Sequence, residues 1–154
     1  MPLIPRSLSA IFCDDIRQES SGKLIYIGVY HSALIVQEFP ATLPTFHIMA
    51  TVVTPTINPF RKLVVRALQD LETIKEMEIP GNELASVPES PFIANIDPKE
   101  RILSARVLLS WSPLRLDGPC ILRVVAQTES EELACLALPL LTKLPESPDP
   151  EPNV

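Results

Sequence analysis

Seventeen prolines against only four glycines, in 154 residues, constrain this chain more than any other feature. Proline has no N–H and a fixed φ, so it ends helices and stays out of central strands. The segments between the prolines are short, as in an all-β protein. They are also apolar enough to form a core, because 46% of the residues are hydrophobic. A single domain suits this length. A chain of this size buries roughly 70% of its unfolded surface, so neither a disulfide nor a metal is required to hold it together.

Alternation of apolar side chains gives the strands. Leu8 to Glu19 reads as a first strand, Ser20-Ser21-Gly22 as a turn, and Lys23 to Tyr30 as a second strand. Both faces of the second are apolar (Ile25, Ile27 and Val29 against Leu24, Tyr26 and Tyr30), which predicts an interior strand. Phe39 to Pro44 is an irregular crossing, and Phe46, Ile48, Ala50 and Val52 then keep a β period. Arg101 to Trp111 places Leu103, Ala105, Val107, Leu109 and Trp111 on one face. Cys120 to Gln127 and Leu133 to Thr142 follow as the last strands.

Two readings fit residues 60–79. Phe60, Leu63, Val64, Ala67, Leu68, Leu71 and Ile74 make a helical stripe behind Asn58-Pro59. Alternatively Lys62 to Gln69 and Ile74 to Ile79 form a hairpin, which Val64-Val65 and the closing Glu-Ile-Pro favour. Gly81 to Lys99 is a long connection expected to pack through Phe92 and Ile96. The resulting expectation is a two-sheet antiparallel β-sandwich, immunoglobulin-like, with seven or eight strands and a short helix within 60–78 as the local alternative. Residues 1–144 form one domain, and the ten-residue tail 145–154, with four prolines and three acids, is expected to be disordered.

A net charge of −6 with 13 scattered basic residues argues against a nucleic-acid face and against docking on an anionic membrane. No apolar run approaches the roughly 20 residues of a membrane span, and the opening residues lack the apolar stretch of a secretory leader. Cys13, Cys120 and Cys135 show no CxxC spacing. They read as small buried hydrophobes of a reducing, cytoplasmic compartment.

The densest polar cluster is Cys13-Asp14-Asp15-Ile16-Arg17 with Glu19 just after. Asp14, Asp15, Arg17 and Glu19 are therefore the candidate binding residues. Three carboxylates this close suggest a hard cation, which takes about six to eight oxygen ligands. On a strand, however, Asp14 and Asp15 point to opposite faces. Asp14 shares its parity with Phe12 and Ile16, the inward side, where a charge needs a partner. No metal and no cofactor is assigned. His31 and His47 are the only histidines, and no nucleophile elbow, zinc-binding helix or phosphate loop occurs, so no catalytic residue is assigned.

With these residues assembled, Ile11 to Tyr30 (IFCDDIRQESSGKLIYIGVY) resembles the N-terminal signature of a family of uncharacterised bacterial proteins, CDDIRxExxGK followed by IGVY. The resemblance implies a bacterial origin and a β domain, and it supplies no catalytic residue. The expected role is non-enzymatic: binding another protein, or self-association through an open strand edge. The alternative is a small metal- or carboxylate-dependent enzyme, or a ligand-binding protein, using Asp14, Asp15 and Arg17 with His31 near one cleft.

Overall fold

Alternation resolves into strands along nearly the whole chain of the computed structural model, which describes residues 4–84 and 95–143. The first five strands are β1 (Ser7–Gln18), β2 (Leu24–Tyr30), β3 (Leu34–Val36), β4 (Ala41–Leu43) and β5 (Phe46–Pro55). A hairpin follows, β6 (Leu63–Gln69) and β7 (Glu72–Ile79), with one helical turn at Gly81–Leu84. The chain closes with β8 (Ile102–Trp111), β9 (Leu114–Leu116), β10 (Cys120–Thr128), β11 (Glu132–Ala134) and β12 (Leu138–Thr142).

One sheet has four strands in the order β2-β1-β5-β8, all antiparallel. The second runs β3-β12-β10-β6-β7, with β11 also on β10. Its β12–β3 pair is parallel. Strands β4 and β9 form a separate two-stranded ribbon. The protein is thus all-β. Residues 60–79 take the hairpin form, because β-branched Val64 and Val65 sit well on a half-buried pleat while the turn Asp70-Leu71 carries the positive φ of Asp70.

Alternate residues from both sheets share one core. Leu8, Phe12, Ile48, Ala50, Val52, Val107 and Leu109 from the first sheet meet Leu63, Val65, Leu122, Val124, Leu138 and Leu140 from the second. Phe46 is fully buried at one end, with the rings of Phe12, Tyr30 and Trp111 around it at centroid distances of 6.4, 6.1 and 5.9 Å. Trp111 is only partly buried, and the Lys75 ammonium lies 5.1 Å from its ring centre.

At the opposite end a guanidinium ties the sheets together. The Arg6 side chain is 3% exposed. It donates to Thr54 Oγ1 (3.1 Å), to the carbonyls of Asn58 (3.1 Å) and Pro59 (3.0 Å), and to Glu129 Oε1 (2.6 Å). Its carbon lies 4.9 Å from the Phe60 ring centre. Burial alone would raise the Glu129 carboxyl, but Arg6 and the backbone N–H groups of Arg61 and Lys62 outweigh it and hold the group at about 2. Among the described residues the buried polar side chains are Thr54 and Thr128, and both are bonded, Thr54 to the Asn58 carbonyl at 2.6 Å and Thr128 to the Glu131 carbonyl at 3.0 Å.

Four expectations need correction. The described residues form twelve strands, not seven or eight, because the short segments β3, β4, β9 and β11 also pair, β4 within the stretch read as an irregular crossing. Strand β2 is an edge strand, not an interior one: β1 uses one of its edges for β5, so β2 takes the other, and among the described residues no strand pairs with its far side. Apolar residues on both faces of β2 therefore do not mean burial on both. The segment Leu133 to Thr142 is two strands, because the chain leaves β10 after β11 and returns to it as β12. Ile96 does not pack inward but is 43% exposed. Phe92 and the acidic tail lie outside the described residues.

Candidate functional site

The hairpin β1–β2 carries the candidate residues, and the pleat separates them. Asp14 faces inward. Its carboxylate accepts the Tyr30 hydroxyl, and its backbone carbonyl accepts Thr45 Oγ1 at 2.7 Å. Gly28, at φ +66°, sits across from it, and a Cβ there would overlap the Asp14 carboxylate. Burial, reinforced by the bond to Asp14 and its charge, pushes the Tyr30 hydroxyl well above the usual phenol range.

Asp15 faces outward. The Arg17 Nε donates to its Oδ2 at 3.2 Å, and the Ile16 N–H donates to its Oδ1 at 2.9 Å. The Arg17 guanidinium holds the Asp15 carboxyl below the usual carboxylate range. His47 Nε2 lies 3.7 Å from Asp15 Oδ1, and His47 Nδ1 lies 2.8 Å from Ser110 Oγ on β8. These groups form a polar tie across three strands on an open sheet face. Glu19 belongs to the turn, where its N–H donates to the Lys23 carbonyl at 2.8 Å and its carboxylate accepts Ser21 Oγ at 3.2 Å. Asp14, Asp15 and Glu19 therefore point three different ways. Among the described residues no group of three or more His, Cys, Asp or Glu side chains could hold a metal ion.

Cys13 lies between Val29 and His47 in the sheet and is fully buried. Burial first, and the charges of Asp14 and Asp15 second, push its thiol up to about 11. A thiol this hard to ionise is a packing group and not a nucleophile.

What surrounds the polar tie is apolar. The registers put Ile25, Ile27 and Val29 on the outer face beside Arg17, Asp15 and Cys13. Met49 and Leu108 continue that face across β5 and β8. Ile25, Ile27, Val29 and Leu108 are 41, 40, 38 and 40% exposed. The second sheet's outward face is mixed: Arg66 is ion-paired to Glu76 at 2.6 Å, Arg123 and Gln127 alternate with Val64, Leu68 and Val125, and Ile35 and Leu141 are 61 and 46% exposed. Among the strand edges the contrast is sharper. Edge strand β7 (ETIKEMEI) carries Glu72, Lys75, Glu76 and Glu78, whereas edge strand β2 (LIYIGVY) has no charged residue and no proline.

Sequence reading missed the His47–Ser110 contact and the outward face of β2. Parity alone could have placed Ile25, Ile27 and Val29 together, but only the strand order says which face is covered.

A model described as a family of unknown function (DUF6941) matches residues 8–138. No curated protein and no solved structure matches the chain. Among the described residues no helix is long and apolar enough to cross a membrane.

Proposed function

The chain belongs to DUF6941, a family of unknown function, and we propose that it acts as a non-enzymatic protein-interaction domain that self-associates through the edge of β2. The observation that carries this reading is an edge strand of seven uncharged residues with Ile25, Ile27 and Val29 exposed in one row. An edge presents unpaired N–H and C=O groups, and proteins usually guard such edges with charge, proline or a cover. Strand β7 is guarded in this way and β2 is not.

A second copy is the matching occupant. Two β2 strands set antiparallel about a two-fold axis extend each four-stranded sheet into one of eight. The three outward side chains of each copy then face their counterparts, and apolar cross-strand pairs contribute roughly 0.2–1 kcal/mol each. Three unpaired cysteines support a reducing compartment as the setting, in keeping with a bacterial cytoplasmic protein.

The test is sedimentation velocity of the wild type and Ile27→Lys across a range of concentration. Ile27 is 40% exposed, so lysine leaves the core intact and changes monomer stability by no more than about 0.5 kcal/mol. In a dimer it sets two ammonium groups side by side. The wild type is expected to shift from monomer to dimer with concentration, and Ile27→Lys to remain monomeric. A wild type that stays monomeric at the highest concentration overturns the proposal, as does a variant that dimerises equally well.

A further inference from the structure

β1 is longer than the strand beside it. It spans twelve residues, and β2 pairs only with Phe12 to Gln18. Beyond Tyr30 the chain bends away at His31-Ser32, and among the described residues no strand is hydrogen-bonded to the β2 side of Ser7 to Ile11. A groove of about 600 Å³ runs there, between β1 and the segment Cys135 to Ala137 of the facing sheet.

The direction of the backbone groups follows from the hydrogen bonds. Glu19 N–H donates to the Lys23 carbonyl, which makes that pair a bonded one. Bonded and non-bonded pairs alternate along an antiparallel ladder, so the odd-numbered residues of β1 aim their N–H and C=O groups toward the β2 side. The Asp14 carbonyl, even-numbered, points the other way and accepts Thr45 Oγ1. By the same alternation Ser7, Ser9 and Ile11 aim their backbone groups into the groove. Among the described residues none of these groups has a partner.

We propose that this vacancy is a binding site that takes an extended, uncharged segment of a partner polypeptide as an added strand. Two features select that chemistry. The free backbone groups at every second residue match an extended chain and no compact ligand. Among the described residues no Asp, Glu, Lys or Arg lines the groove, and Phe12, Val29 and Leu136 make it apolar. A charged segment would lose its hydration there with no partner in return. The free edge of five residues accommodates about 17 Å of extended chain. This site uses the edge of β1 and self-association the edge of β2; Val29 borders both, and the backbone groups of the two edges are separate.

The probe is a capped heptapeptide alternating valine and threonine, titrated by calorimetry against the full chain. Its control is the same peptide N-methylated at alternate residues, which cannot form the ladder. Ser9→Pro removes one N–H aimed into the groove and leaves the β5 ladder, which uses the even-numbered residues, intact. Ala137→Trp fills the groove from an exposed position outside the core. The wild type is expected to bind the first peptide and not the second, and Ser9→Pro to weaken binding about tenfold or more. If Ser9→Pro fails to fold, Ala137→Trp decides, because it is expected to abolish binding with the fold unchanged. No binding by the wild type at millimolar peptide overturns the proposal. So does equal binding of the N-methylated peptide, or a folded Ala137→Trp that binds like the wild type. Loss of self-association in Ser9→Pro would assign the edge to a second copy and overturn the proposal equally.

Discussion

Arg6→Ala lowers the stability of this domain by about 3–5 kcal/mol, the usual cost of removing one partner of a buried ion pair. The side chain is 3% exposed, and it anchors the start of β1 to the loop after β5 and to the turn after β10. Alanine leaves Glu129, Thr54 Oγ1 and the carbonyls of Asn58 and Pro59 each short of a donor. Urea unfolding followed by circular dichroism reads the loss as a lower midpoint at unchanged slope. A loss below about 1 kcal/mol would mean that water replaces the guanidinium and that the clamp adds little.

The same clamp gives the protein an acid limit. Glu129 titrates at about 2 in the folded chain against an ordinary 4.5. A depressed carboxyl contributes its full stability above the unfolded value and loses it as pH falls through the folded one. The wild type is therefore expected to lose stability progressively between about pH 4.5 and 2. Glu129→Gln starts less stable at neutral pH and has a flatter profile across that window. A variant with the same acid slope as the wild type would assign the acid response to other carboxylates.

Gly28→Ala is the second large effect, at about 2–5 kcal/mol. Two costs add. An L-residue at φ +66° is strained by about 1–2 kcal/mol. The new methyl group also displaces the Asp14 carboxylate from the Tyr30 hydroxyl, leaving a part-buried pair unsatisfied at about 1–3 kcal/mol. Gly22→Ala separates the two. Gly22 also has a positive φ, +89°, but a Cβ there meets nothing within 4 Å. It carries the backbone cost alone, so Gly28→Ala is expected to melt well below Gly22→Ala. Equal melting points would show that Asp14 moves aside freely and that its bond to Tyr30 contributes nothing.

Much of the fold was legible because alternation is a local signal. The β period of Phe46 to Val52 and of Cys120 to Gln127, and the turns at Ser20 to Gly22 and Asp70, come from neighbouring side chains and need no partner. The opposite parity of Asp14 and Asp15 was legible for the same reason, and it explains why the carboxylates at the start of the hairpin do not converge. What sequence leaves open is long-range. Nothing in LIYIGVY says whether a strand lies on one side or both, and the two-faced apolar pattern of β2 points the wrong way. Contacts between Arg6 and Glu129, or between His47 and Ser110, span more than sixty residues and depend on the strand order. One clue to the groove was present all the same. The first strand reads as twelve residues, Leu8 to Glu19, and its hairpin partner as eight, Lys23 to Tyr30. A hairpin with unequal arms must leave part of the longer one unpaired on that side.

Pairing of β2 with a second β2 makes protection of its outer edge depend on protein concentration, which amide hydrogen exchange of the wild type reads residue by residue. Alternation assigns the outward N–H groups of β2 to its even-numbered residues, Leu24, Tyr26, Gly28 and Tyr30. Their exchange is expected to slow as concentration rises, while the charged edge β7 exchanges at a constant rate. Exchange of Leu24 and Tyr26 that does not depend on concentration, or protection that grows along β7 instead, would rule out pairing at β2.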